Sequence, residues 1–511
     1  MKLASIFTDH MVLQANQSIK IFGEGQGVGE ITFLGKTVAF SFEQDEWCVS
    51  LPAADYGGPY EMDITLDNVT YKLKDIYIGE VWLACGQSNM EQVLFKTEYG
   101  IEEAKHAYND KIRFFTVPRR TERNTPKCGW HSDKVTGEDR PWEICTEESA
   151  LHFSAIGYYV AKELQERLNI AIGVISCNWG GVPIETYISR DYFSQLDCLK
   201  PQLEEYNAML RGLNWDLYKA AYRKGIREWD DYYHAIDYDV VDEVREKGVR
   251  ACIGMPLEPT PCMPDGPYVP QMPGCLYDSM IARIAPFGVK GMMWYQGESN
   301  QSLNYLDKYL LFMRCMCDTF KNPDMVFYAV ELASFSYFGG EDEQTTDNRF
   351  VVSSNLAFTR EQQQRATEVA SNNYLITSME LGDLYDIHPV QKRELAHRMV
   401  LKMFKYTYGL NVYADHPTYR SAEFKNGKVY IHLNHSDGLY CRYLSGVKMY
   451  VADESHQLKR AKIEIKNDML ILSCNEVKTP ILARYGFDYY YSGCHIYNKA
   501  GLPLAPFRTD K

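Results

Sequence analysis

The sequence lacks an excess of positive charge. It carries 54 lysines and arginines against 68 aspartates and glutamates, which gives a formal net charge of −14. Because nucleic-acid binding needs a basic surface, this balance argues against a nucleic acid as the main partner. The chain also has no apolar run that approaches the roughly 18 residues of a membrane-spanning helix, so we expect no membrane partner.

A secretory leader and a metal-binding cysteine pattern are missing as well. The opening stretch MKLASIFTDHMVLQ has no apolar core, which predicts a cytoplasmic protein; the alternative is a secreted chain that has lost its leader. The 14 cysteines include no C-x-x-C pair, and His432 and His435 have no cysteine or acidic companion at ligand spacing. We therefore expect free thiols, no metal and no cofactor.

The pattern of short segments predicts an α/β protein in three parts. Residues 1–73 contain short strands between turn signals, such as SIKIFGE and EMDITL, which are typical of a β-sandwich. From 74 to 410, strands alternate with helices, which predicts a doubly wound parallel sheet. Residues 411–511 are again rich in strands. The charged, aromatic segment 191–270 interrupts the α/β part as a helical insertion that returns through an irregular loop, and it forms either a surface decoration or a lid or wall of the substrate cleft.

Ser88 follows a buried strand in the stretch VWLACGQSNM. A serine in this position either caps the helix that follows or acts as a nucleophile at the end of the strand. A nucleophilic serine needs a base, normally a histidine oriented by a third group. His388 in GDLYDIHP lies in a polar loop after another strand, and Asp386, Asp383 or a backbone carbonyl could orient its imidazole.

Acyl transfer also needs hydrogen-bond donors for the developing oxyanion. Gly180 and Gly181 in NWGGVPIETY, and Asn300 in WYQGESN, follow further strands and could supply such donors. Their purely structural alternatives are a tight turn and a helix cap. Because ligands of parallel α/β sheets bind beyond the carboxyl ends of the strands, we expect these groups to gather with Ser88 at one edge of the sheet.

Two carboxylates suggest a rival chemistry. Glu298 and Asp386 could flank a sugar bond as in a glycosidase, but this hypothesis leaves Ser88, the glycine pair and His388 without roles. The stretch GQSNM lacks the second glycine of the G-x-S-x-G elbow, so an α/β-hydrolase fold is not expected.

The stretches GQSNM, NWGGVPIETY, WYQGESN and DIHP, in this order, resemble the SGNH hydrolase superfamily, and in detail they are similar to the sialate O-acetylesterase family of carbohydrate esterases. FTDHMVLQ, CLYDSMIARIAPFGVKGMMWYQGESN and YNKAGLPLAPFRTD extend the resemblance to nearly the whole chain, except much of 191–270. The resemblance implies an SGNH-type, flavodoxin-like sheet between two β-rich regions.

The resemblance also implies roles for individual residues. The superfamily often places its acid three residues before the histidine, where this chain has Tyr385, so Asp386 is expected to orient the base. The implied site consists of Ser88 as nucleophile, His388 as base, Gly180 or Gly181 and Asn300 at the oxyanion hole, and Gln87, Gln296 and Glu298 as residues that bind substrate or support the site.

The implied reaction is the removal of acetyl groups from a carbohydrate through an acyl-enzyme. The expected substrate is an O-acetylated sialic acid, either a small molecule or an oligosaccharide. An acetyl esterase for xylan or another plant glycan is the first alternative, because the motifs contain no feature that names the sugar. A carbohydrate-binding protein without catalytic activity is the second.

Overall fold

The computed structural model describes residues 1–121, 140–235, 264–300, 304–336, 355–488, 490–491 and 493–510. The strands in these ranges are β1 (Lys2–Leu3), β2 (Val12–Gln14), β3 (Ile19–Glu24), β4 (Gly27–Phe33), β5 (Lys36–Phe42), β6 (Glu46–Leu51), β7 (Gly57–Leu66), β8 (Val69–Gly86), β9 (Asn109–Thr116), β10 (Glu143–Cys145), β11 (Ile172–Asn178), β12 (Gly291–Tyr295), β13 (Val326–Val330), β14 (Asn373–Ile376), β15 (Thr418–Lys425), β16 (Lys428–Asn434), β17 (Met449–Ala452), β18 (Lys459–Arg460), β19 (Lys462–Lys466), β20 (Met469–Ser473), β21 (Leu482–Tyr485) and β22 (Phe507–Arg508). The α-helices are α1 (Ser88–Glu91), α2 (Gly100–Ala104), α3 (Glu147–Leu151), α4 (Ala155–Leu168), α5 (Lys200–Gly212), α6 (Trp215–Ala235), α7 (Ala282–Ile284), α8 (Tyr305–Phe320), α9 (Asn355–Val369) and α10 (Lys392–Lys402).

The N-terminal region is built from antiparallel strands, as its alternating sequence predicts. Strands β1, β3 and β6 form a small separate sheet, whereas β4, β5 and β7 continue the large sheet of the protein. Side chains from both groups, such as Ile21, Trp47, Ile31 and Met62, belong to one hydrophobic cluster. The strands predicted for residues 1–73 are confirmed, and their arrangement as a sandwich stays a prediction.

Strand β8 is long, 18 residues, and runs through two regions. Its first half pairs with β7 and β2, and its second half pairs with β11 and β12. The exposure of its side chains changes accordingly, because only Leu73 and Ile76 are buried among the residues up to Tyr77, whereas all residues of Ile78–Gly86 are buried. The predicted domain boundary between residues 73 and 74 falls inside this strand, so the two regions share a backbone element.

The central part of the large sheet has the strand order β10-β9-β11-β8-β12-β13-β14. Strands β9, β11, β8, β12, β13 and β14 are parallel to their neighbours, and β10 is antiparallel to β9. Gly86 at the end of β8 is level with Asn178 of β11 and Tyr295 of β12. The loops that follow these three strands therefore begin side by side.

Apolar clusters cover both faces of this parallel sheet, because successive side chains of a strand point to opposite faces. On β8, Leu83 packs in the cluster that contains Phe312 of α8, and Ala84 packs in the cluster that contains Val160 of α4 and Met399 of α10. The α/β class is confirmed, and the SGNH-type doubly wound arrangement stays a prediction.

Residues beyond 411 form two four-stranded sheets with the orders β15-β16-β20-β19 and β18-β17-β21-β22. Both contribute to a hydrophobic cluster of their own, which confirms the β-rich prediction for this region. In the segment 191–270, helices α5 and α6 confirm the predicted helical character, and residues 236–263 lie outside the described ranges. None of the helices in the described ranges is long and apolar enough to cross a bilayer.

Candidate active site

The predicted site residues lie in loops that leave the carboxyl ends of neighbouring parallel strands. Ser88 follows β8, Gly180 follows β11, Asn300 follows β12 and His388 lies in the loop after β14. Gly86 makes the first of these turns possible because its φ is 147° and a Cβ there would lie 2.2 Å from the carbonyl oxygen of Tyr295. A larger residue would push β8 and β12 apart beneath the nucleophile.

Ser88 and His388 are in direct contact. The Oγ of Ser88 lies 2.8 Å from the Nε2 of His388, although the two residues are 300 positions apart in the sequence. The alternative role of Ser88 as a helix N-cap is wrong, since Gln87 occupies the N-cap of α1 and Ser88 is the first helical residue. Its hydroxyl is therefore available to the imidazole, which is the arrangement that activates a serine.

The two aspartates before His388 have different positions. Asp386 Oδ1 lies 3.4 Å from the Nδ1 of His388 and accepts a hydrogen bond of 2.8 Å from the backbone N–H of the same residue. Asp383 Oδ1 instead accepts the backbone N–H groups of Tyr385 and Asp386. The geometry favours Asp386 as the acid that orients the imidazole, although 3.4 Å is longer than an ordinary hydrogen bond.

Gly180 and Gly181 differ in their distance from Ser88. A Cβ placed on Gly180 would lie 3.4 Å from the Cβ of Ser88 and 3.4 Å from the Oε2 of Glu91, whose other oxygen binds Arg119 at 2.5 Å. Gly181 has a φ of 68°, and a Cβ there would meet no atom within 4 Å. Gly180 is therefore the glycine that borders Ser88, and Gly181 provides the left-handed turn.

Asn300 is held tightly by the loop that contains the glycines. Its Oδ1 accepts the backbone N–H of Ile184 and the Nε2 of Gln296, both at 2.6 Å, and its Nδ2 donates to Glu185 Oε2 at 2.7 Å. An asparagine amide has two N–H groups, so one remains for an oxyanion. Gln296 is fully buried and also donates to the carbonyl of Val182, which makes it a supporting residue.

A buried ion pair behind Asn300 escaped the sequence analysis. Lys308 Nζ donates to Glu185 Oε1 at 2.6 Å, and both side chains are less than 10% exposed. Glu185 stands in the quoted stretch NWGGVPIETY, but Lys308 lies on α8 and carries no motif signal. Because removing one partner of such a pair leaves a buried charge, this pair anchors the glycine loop to α8.

Asn89, the residue after Ser88, connects three of the motif loops. Its Nδ2 donates to Glu298 Oε1 at 2.6 Å and to the backbone carbonyl of Ile387 at 3.0 Å, and its Oδ1 accepts from Lys392 Nζ at 2.7 Å. A glycosidase would place the carboxylates of Glu298 and Asp386 around a sugar bond. Here the carboxylate of Glu298 binds Asn89, and that of Asp386 binds the backbone N–H of His388. Sequence analysis missed the roles of Asn89 and Lys392.

Burial changes the protonation chemistry of this cluster. It lowers the pKa of Lys392 to about 7, with the nearby charges of Glu298 and Asp386 opposing the shift. It raises the pKa of the Glu298 carboxyl, and the hydrogen bond from Asn89 and the charges of Lys392 and His388 oppose this shift.

Gln87 supports the loop that contains Glu298, because its Oε1 faces the backbone N–H groups of Gly297 and Ser299 at 3.4 Å.

The chain on either side of the 191–270 insertion lies close to the glycine loop. Gln271, just beyond it, lies with its Nε2 3.5 Å from the carbonyl of Gly181, and the backbone N–H of Gly274 donates to the carbonyl of Glu185 at 3.0 Å. Arg190 Nη1 donates to the carbonyl of Pro273 at 2.9 Å. The insertion therefore leaves and rejoins the fold beside the glycine loop, and its role as a lid or wall of the cleft or as a surface decoration stays a prediction.

Comparisons with known proteins give consistent results. Residues 266–405 match a family model described as carbohydrate esterase, sialic acid-specific acetylesterase; this range contains Asn300 and His388 but not Ser88. The chain is similar to the sialate O-acetylesterase of Rattus norvegicus, with 23% identity over 80% of this chain and 74% of the relative. It is 21% identical to that of Pongo abelii over 94% of this chain and 85% of the relative. A solved carbohydrate acetylesterase from Xanthomonas citri aligns with a TM-score of 0.76 and 25% identity over 100% of this chain and 99% of that chain.

Proposed function

We propose that this chain, which is similar to sialate O-acetylesterases and to a solved carbohydrate acetylesterase, works as an SGNH-type serine esterase that removes O-acetyl groups from carbohydrates through an acyl-enzyme. The observation that carries this proposal is the 2.8 Å contact between Ser88 Oγ and His388 Nε2. Gly180 beside Ser88, and Asn300 in the neighbouring loop, support it because they offer donors for an oxyanion.

In the proposed acylation step, His388 Nε2 takes the proton of the Ser88 hydroxyl while Oγ attacks the acetyl carbonyl carbon. Negative charge develops on the carbonyl oxygen, where the backbone N–H groups of Ser88 and Gly180 and the remaining N–H of Asn300 stabilise it. The C–O bond to the sugar breaks, and the imidazolium returns the proton to the sugar oxygen. Asp386 stabilises the imidazolium while it is charged.

Deacylation repeats these steps with water. His388 takes a proton from a water molecule, whose oxygen attacks the acetyl group on Ser88. The bond to Oγ then breaks, the imidazolium returns the proton to Oγ, and acetate leaves. Every proton in these steps passes through the imidazole of His388.

The serine mechanism can be tested with two substitutions and a control. Ser88→Ala and His388→Ala should each lower kcat for an O-acetylated sugar by at least about 10³-fold, as in other serine hydrolases. His397→Ala removes an imidazole that binds Glu163 on the protein surface, and it should leave kcat unchanged. Mass spectrometry of a quenched reaction should find an acetyl group on Ser88. Turnover that persists in S88A would exclude the mechanism.

We further propose an O-acetylated sialic acid as the substrate, as the family model and the names of the mammalian relatives suggest. Acetate release from O-acetylated sialic acids should exceed release from acetylated xylan fragments at equal concentration. The reverse order would identify a plant-glycan esterase instead. If the wild-type protein binds these sugars but releases no acetate from any of them, it is a carbohydrate-binding protein.

A further inference from the structure

Lys392 occupies a position that does not favour the stability of the fold. It is 1% exposed, and it is the first residue of α10, where the positive end of the helix dipole disfavours a cation. Its hydrogen-bond partner is the neutral amide of Asn89 rather than a carboxylate. Because a buried ammonium costs free energy that a neutral partner offsets only in part, this placement asks for a role beyond packing.

The amide of Asn89 uses both of its N–H groups and its oxygen in this cluster. One oxygen accepts from Lys392, and the amide nitrogen donates to Glu298 Oε1 and to the carbonyl of Ile387. Asn89 follows Ser88 directly, and Ile387 precedes His388 directly. One amide therefore joins the helix that carries the nucleophile to the loop that carries the base.

We propose that Lys392 is a positioning residue for ester hydrolysis, which acts through Asn89 to hold the His388 loop against Ser88. The ammonium fixes the orientation of the Asn89 amide, and the amide fixes the backbone at Ile387. This places His388 Nε2 within 2.8 Å of Ser88 Oγ. The proposal rests on the serine mechanism above and adds to it a residue that touches neither substrate nor the reacting atoms.

The surroundings of Lys392 also give the ammonium an electrostatic role. Glu298 and Asp386 are the charged groups that face it, and the ring of Tyr295 lies 5.3 Å from Nζ. A positive charge at this place favours the ionised form of Glu298 and opposes the binding of a further proton by its neighbours. Because burial lowers the pKa of Lys392 to about 7, this positive charge is lost as the pH rises through neutrality.

The test compares two buried lysines of the same helix. Lys392→Met should lower kcat by about 10- to 100-fold with KM changed less than about threefold, because small misplacements of a base affect the chemical step most. Lys402→Met is the matched control, since Lys402 is also buried on α10 but binds Asp415. It should leave kcat per folded molecule near the wild-type value.

A pH profile separates positioning from a general loss of stability. In K392M the acid limb of the kcat profile should move to higher pH, because loss of the ammonium favours protonation of Glu298. In K402M the limb should not move. If folded K392M keeps both the wild-type kcat and the wild-type acid limb, Lys392 only packs and the proposal is wrong.

A second substitution, Asn89→Asp, tests the positioning role even if K392M does not fold. Aspartate has the shape of asparagine and still accepts from Lys392, but it cannot donate to Glu298 or Ile387. We expect a loss in kcat of about the same size as for K392M; a wild-type kcat in N89D would contradict the proposal. If S88A is inactive while K392M and N89D are unaffected, the positioning role fails and the serine mechanism stands. If S88A stays active, the mechanism itself fails.

Discussion

Two buried lysines lie behind the candidate site, and they are held in different ways. On the oxyanion side, Lys308 binds the carboxylate of Glu185 at 2.6 Å, and Glu185 in turn binds Asn300. On the histidine side, Lys392 binds an amide at 2.7 Å, and the charges of Glu298 and Asp386 act against the lowering of its pKa by burial. A direct ion pair offsets the desolvation of both charges, whereas an amide offsets it only in part. The oxyanion side is thus built for rigidity, and the histidine side for sensitivity to charge and pH.

Breaking the ion pair on the oxyanion side should have the largest effect on stability. Glu185→Gln keeps an acceptor for Asn300 but leaves Lys308 buried without a carboxylate, which typically costs about 3–5 kcal/mol in the free energy of unfolding. Denaturant titration measures this loss. Glu102→Gln is the control, because it breaks an exposed pair with Lys105 and should not change the midpoint. Equal midpoints for E185Q and E102Q would mean that the two sides do not differ as described.

Removing the carboxylate beside the imidazole should affect catalysis rather than stability. A hydrogen bond to a charged group contributes about 1.5–3 kcal/mol, so Asp386→Asn should lower kcat by about 10- to 100-fold. Asp383→Asn is the matched comparison, because Asp383 binds backbone N–H groups of the same loop. It should lower kcat less. A larger loss in D383N would show that the turn, and not the carboxylate of Asp386, orients His388.

Measured per pH unit, the pH dependence of stability on the histidine side gives the smallest expected effect. Lys392 has a pKa of about 7 in the folded protein and an ordinary, higher pKa in the unfolded chain, so between these values only the unfolded chain holds the proton. Wild-type stability should therefore gain up to about 1.4 kcal/mol per pH unit from this group as the pH rises above about 7. Lys392→Met removes this contribution. Relative to wild type, K392M should therefore have its highest unfolding free energy below pH 7, and this advantage should shrink as the pH rises. If the difference in unfolding free energy between the two proteins is constant from pH 6 to 9, Lys392 does not titrate as a buried lysine in this range.

The reacting groups of the candidate site could be predicted from the sequence because each follows an apolar strand. Register then brings the strand ends together, as Gly86, Asn178 and Tyr295 show. The choice between Gly180 and Gly181 depended on which one borders Ser88. That is a matter of loop conformation, which residue spacing does not encode.

The residues behind the reacting groups could not be predicted in the same way. Lys392 stands in the polar stretch QKRELAHR and looks like a solvated helix residue until the fold buries it. Glu185 and Lys308 are 123 positions apart, and no local pattern links them. The continuity of β8 could not be predicted for a related reason. Most side chains in its first half are exposed or half-buried, whereas its second half is apolar and buried, so the two halves look like separate strands.

Strand β8 has a consequence for anyone who divides this protein into fragments. A cut near residue 74 would split one strand and strip β7 and β2 from the half that ends at Gly86. The fragment would start with unpaired backbone groups beside an apolar surface, and such an edge invites association with other chains. Shortened versions meant for crystallography or fusion should therefore keep the first 68 residues attached.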